Sequence, residues 1–116
     1  MFQITNLTKR KIPKISWEKI KEKILGKKYD LSLVFAPNGL MKKLNSRYRR
    51  ENQPASVLSF PFSKEQGEIF INLSQKKHPP LYLFIHGLLH LKSFKHSAKM
   101  EIMEKKLKEF ARSLER

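Results

Sequence analysis

At 116 residues the chain has room for one hydrophobic core and not for two, so it reads as a single domain over 1–116. It contains no cysteine, which removes disulfides and thiolate metal ligands and suits a reducing cytoplasm. Its formal net charge of +15 points to a polyanionic partner, nucleic acid before an anionic membrane, although a Lys-rich composition alone can raise the charge.

The N-terminal residues lack the charged start and apolar stretch of a signal peptide. The longest near-apolar run, 81–85, is far too short to span a bilayer, so a cytoplasmic protein without a membrane segment is expected. Residues 2–7 alternate and predict a short strand. Ser16 is placed to cap a helix through Leu25, with Gly26 just past its end. Trp17, Ile20, Ile24 and Leu25 form the apolar stripe of that helix, and its Lys and Glu residues read as the solvated face. An apolar, partly β-branched strand follows over 31–36. Pro37-Asn38-Gly39 breaks it, and a short helix runs to about Arg47 with Leu40, Met41 and Leu44 inward.

Residues 57–60 read as a strand that Pro61 stops. A Gly-containing turn at 64–67 leads into a second strand over 68–73, and the two can pair as a hairpin. Pro80 suits the first position of a helix. Residues 81–91 are apolar on nearly every face except at Tyr82, His86 and His90, the pattern of a buried central helix with one polar stripe. Ser97 can cap a last helix, whose Met100, Met103, Leu107, Phe110 and Leu114 recur at intervals of three and four and read as core packing. The order is strand, helix, strand, helix, two strands, two helices. It predicts an α+β sandwich, one mixed sheet of about four strands packed with helices. No internal repeat is present.

The residues that carry chemistry are His86, His90 and His96. Spacing of four puts the first two on one helical face. Six further residues allow the helix to stop and the chain to turn back with the third. Three neutral imidazoles make an open zinc site whose fourth position holds water, with its pKa lowered to about 7. Metzincin peptidases share the spacing but carry a Glu base after the first His. Here that residue is Gly87, and their Gly three residues after the second His is Ser93. The pattern thus points to metal-assisted hydrolysis and away from peptide bonds.

The run His86-Gly-Leu-Leu-His90-Leu-Lys-Ser-Phe-Lys-His96 resembles the His-Gly-x-Leu-His-Leu-x-Gly-Tyr/Phe-Asp-His signature of the YbeY family of endoribonuclease-like rRNA maturation factors. Leu44-Asn45-Ser46-Arg47-Tyr48-Arg49, Pro54 and Val57-Leu58-Ser59-Phe60-Pro61 are similar to a second block of that family, and 67–71 to its Gly-Asp-Ile strand. The resemblance covers roughly residues 30–104. It implies an α+β fold with one Zn²⁺ on three histidines, single-stranded RNA cleavage, and work on ribosomal RNA and small-subunit quality control. The departures are Ser93 for Gly, Lys95 for Asp, Ala55-Ser56 for Thr-Asp, and Asn52 for an Asp. The segment between Leu73 and Leu81 is also short for the family, so a helix is expected to be missing there.

On this reading Arg49 is the catalytic candidate, because phosphodiester cleavage builds negative charge that a guanidinium fork answers. Arg47, Arg50, Lys92, Lys95 and Lys99 are expected to track the RNA backbone. Ser59 and Phe60 are candidates for the cleft wall, and His78 reads as an exposed loop residue. Two rivals stand beside the ribonuclease: a non-catalytic RNA- or ribosome-binding module with a structural zinc, and a metallopeptidase. Oligomeric state is not legible.

Overall fold

The computed structural model describes residues 1–95. The expected last helix, with Ser97, Met100, Met103, Leu107, Phe110 and Leu114, lies outside the described residues, as do His96 and Lys99. The elements in chain order are β1 (Phe2–Asn6), α1 (Trp17–Leu25), β2 (Asp30–Phe35), α2 (Asn38–Arg49), β3 (Val57–Ser63), β4 (Gln66–Ile71) and α3 (Pro80–Lys95). The fold is a single α+β unit with a mixed four-stranded sheet in the order β1-β2-β4-β3. β1 and β2 run parallel, as do β2 and β4, while β3 and β4 form the antiparallel hairpin.

Side-chain alternation divides the sheet into two faces. Leu31, Leu33 and Phe35 of β2 and Ile69 and Ile71 of β4 point one way, into a core with Trp17 and Leu25 of α1 and Leu83, Phe84, Leu88 and Leu91 of α3. Trp17 joins the two helices to the sheet, with edge contacts to Phe35 at 5.5 Å and Phe84 at 5.1 Å between ring centroids. Each such fully buried side chain contributes about 1.5–3 kcal/mol of transfer free energy. The opposite face is smaller. Met41 and Leu44 of α2 pack there with Ala36, Ala55, Leu58, Phe60 and Phe70.

Several sequence expectations need correction. Ser16 stands at the N-cap of α1, but its side chain makes no capping hydrogen bond. Lys21, read as part of the solvated face, is buried at 2% exposure, and its Nζ donates to Lys27 O at 3.3 Å. Its aliphatic stem fills the core edge while the ammonium satisfies a carbonyl just past the helix. Pro61 does not stop β3. The strand runs to Ser63 because β3 is an edge strand, where a residue without an N–H is tolerated, and the register shifts between Pro61 and Ser63. Likewise α3 does not end near Leu91. No Gly or Pro interrupts 92–95, and buried Phe94 extends the sheet-facing stripe one more turn. Nor is α3 buried everywhere outside its polar stripe: Tyr82 is exposed as that stripe requires, but so are Leu81 and Leu89, since a helix lying on a sheet hides one side only. As expected, no helix intervenes between β4 and α3.

Candidate functional site

A cleft of about 330 Å³ lies at the β3 edge, where the C-terminal end of α2, the 51–57 segment, the loop before α3 and the first turns of α3 meet. Arg49, Ser56, Lys77, His78, Tyr82 and His86 are among the residues lining it. Arg49 is the last residue of α2, which ends because Arg50 adopts a left-handed φ of 56°. That conformation costs a residue with a Cβ about 1 kcal/mol and turns the chain sharply into the cleft wall.

Two buried asparagines hold the wall in place. Asn45 Nδ2 donates to Gln53 O at 2.8 Å. Asn72 Nδ2 donates to Asn38 Oδ1 at 2.6 Å and to Ala55 O at 3.3 Å, and the Asn72 backbone N–H donates to Ser56 O at 3.0 Å. Asn72 escaped the sequence reading, which absorbed it into an apolar strand. Its signal was a lone amide directly after Ile71, where a buried polar group must find partners.

His86 and His90 share one exposed face of α3, as the spacing of four requires, with ring centroids 4.8 Å apart. Desolvation first, then His86 and Arg49, lower the His90 pKa below its ordinary value. This favours the neutral imidazole, the form that ligates a metal. The two imidazoles, side by side on one face, are of the type that can share a metal ion. The described residues hold no cluster of three metal-ligating side chains, and the third expected ligand, His96, lies outside them. Zinc therefore remains an expectation resting on two placed histidines.

The remaining expectations divide. Arg47, Arg50 and Lys92 are exposed but do not line the cleft, and the side chain of Lys95 is outside the description. Ser59 and Phe60 are not cleft residues. Ser59 Oγ donates to Gly87 O at 3.4 Å beneath α3, and Phe60 packs between Tyr48 and Phe70 in the second core. His78 is not a bare loop residue. Its ring stacks on Tyr82 at 4.6 Å, and it lines the cleft with His86. Gly87 matters for packing. A Cβ there would lie 2.9 Å from Ser59 Oγ and 3.1 Å from two Ile69 carbons, so a side chain at 87 points into the sheet. The position where the metzincin pattern carries its Glu base is therefore taken up by close packing of α3 on the sheet.

The family model for "Endoribonuclease YbeY" matches residues 3–115. The chain belongs to the YbeY family. Proteins named endoribonuclease YbeY are similar to it: one from Ehrlichia chaffeensis is 38% identical over 92 residues, covering 64% of this chain and 60% of the relative. One from Pelagibacter ubique is 36% identical over 108 residues, covering 77% and 70%, and one from Neorickettsia sennetsu is 32% identical over 108 residues, covering 77% and 76%. The chain spans about 60% of the length of the Ehrlichia chaffeensis and Ehrlichia canis relatives. Among the described residues no helix is long and apolar enough to cross a membrane.

Proposed function

We propose that this chain is a zinc-dependent endoribonuclease of the YbeY family that cleaves single-stranded RNA in ribosomal RNA maturation and small-subunit quality control. The observation that carries the reading is the meeting of His86 and Arg49 on one cleft, with His90 one turn further along the same helical face. His86, His90 and His96 would hold the ion. Zinc in such a setting supplies a water of lowered pKa and a Lewis acid for a phosphoryl oxygen. Arg49 orients the scissile phosphodiester and answers the negative charge that develops on its oxygens. Arg47, Arg50, Lys92, Lys95 and Lys99 supply the wider positive field, to which the cleft residue Lys77 adds.

The rival binding module draws on one observation: Ala55 and Ser56 line the cleft where the family block has Thr-Asp, which leaves Glu51 as the carboxylate among the residues lining it. One experiment separates the two. Purified protein is incubated with ribosomal RNA bearing unprocessed ends, with and without a chelator, alongside Arg49→Ala. The expected outcome is chelator-sensitive cleavage, with Arg49→Ala folded, still metal-loaded and slower by roughly 10²-fold, the scale of removing one preorganised charge-stabilising donor. RNA binding with no cleavage by the wild type overturns the nuclease and leaves the binding module. Cleavage that survives both treatments belongs to a contaminant and overturns the assignment.

A further inference from the structure

The loop before α3 is built more firmly than a connector needs. Gln75 grips it at both ends of its amide: Nε2 donates to His78 O at 2.8 Å, and Oε1 accepts from His78 N–H at 3.1 Å. Pro79 and Pro80 follow at once and restrict the backbone further. The clamp fixes the His78 ring against Tyr82, with centroids 4.6 Å apart and planes 26° from parallel. Tyr82 continues the series to His86, 6.3 Å away with planes only 15° apart. Tyr82 nevertheless remains 52% exposed. A large aromatic ring held open, supported from behind by a clamped imidazole, does not contribute to the core. It lines the same cleft as Arg49 and Lys77.

We propose that the His78–Tyr82 pair is a stacking platform for one unpaired nucleobase of a single-stranded RNA whose backbone passes Arg49 and Lys77. This deepens the ribonuclease reading and rests on it for the identity of the strand. Every base has a π-face, so aromatic stacking selects unpaired strands with little sequence preference. A duplex, whose bases are already stacked on each other, offers no free face. The cations beside the rings hold phosphates without reading sequence. Preorganisation by Gln75 and the two prolines removes ordering cost that a mobile loop would incur on binding.

The test compares a short single-stranded oligoribonucleotide with an abasic strand of equal length and charge, at fixed ionic strength. Tyr82→Ala is expected to weaken binding of the base-bearing strand roughly 5- to 150-fold, the range for loss of one base–aromatic stack. Its affinity for the abasic strand should match that of the wild type, because phosphate contacts are untouched. Tyr82→Phe, which keeps the ring, recovers the lost affinity. A 2-aminopurine placed in the strand should change fluorescence on binding wild type and not on binding Tyr82→Ala. Equal weakening for both strands, or no weakening for either, overturns the platform. Cleavage by the wild type with unchanged binding by Tyr82→Ala overturns the platform alone. Base-dependent binding by a protein that never cleaves supports the platform and overturns the nuclease.

Discussion

Glu68 illustrates how a single residue can oppose the fold that contains it. It sits in β4 opposite Phe60 of β3 and is partly buried. Burial raises its pKa, and a hydrogen bond from Ser32 offsets only part of that rise. A carboxyl group whose pKa is higher folded than unfolded binds its proton more tightly in the native state. Its contribution to stability is therefore fully present below the unfolded pKa, near 4.3, and is lost as pH rises through the folded pKa. Glu68→Gln should raise the melting temperature at pH 7, with the difference from wild type shrinking towards pH 4. Thermal melts of both proteins across that interval check the sign, and a variant less stable at pH 7 would show that the charged form is favoured. Lys21 teaches the complementary lesson. Its charge reads as surface, yet spacing of four places it between Trp17 and Leu25 on the buried face of α1. The carbonyl of Lys27, just past the helix, gives its ammonium a partner.

At the level of elements, the type and order of those described were legible because hydrophobic period, Gly and Pro act locally. Strand and helix ends were less so. Pro61 stays inside β3 because the sheet order leaves that strand at an edge, and sheet order is a long-range property. The site followed the same division. His86 and His90 share a face by helical geometry alone. The convergence of Arg49 and His78 on His86 depends on Asn72 and Asn45 tying the 51–56 wall, which no spacing rule reveals. Gly87 shows how close α3 lies to the sheet. Gly87→Ala sets two terms against each other: a gain of about 1 kcal/mol in helix propensity, and an overpacking loss of about 1–3 kcal/mol. Ser59 Oγ can rotate away, but Ile69 is fully buried and cannot. The loss should win by about 1 kcal/mol, read as a lower urea midpoint with unchanged slope. A stabilised variant would mean that α3 can lift from β4 at no cost.

For the whole molecule, 25 Lys and Arg against 10 Asp and Glu leave a net charge of +15 that the chain's own carboxylates cannot neutralise. Much of the charge therefore acts as a field rather than as paired structure. Arg49 and Lys77 sit in the cleft, while Arg47, Arg50 and Lys92 are exposed elsewhere on α2, at its end and on α3. If a single strand engages about four phosphates at once, counterion release predicts a slope of log K against log salt near −0.7 per phosphate. Raising salt from about 50 to 200 mM should then weaken binding roughly 50-fold. Removing Arg49 should lower that slope by close to one phosphate's share, whereas Tyr82→Ala should leave it alone, since a stacked base releases no ion. Titrations of wild type and both variants at four salt concentrations separate the two contributions. A loss under about threefold over that range would mean that the charge serves solubility rather than RNA, because a polyanion cannot be gripped by several cations without releasing its counterions.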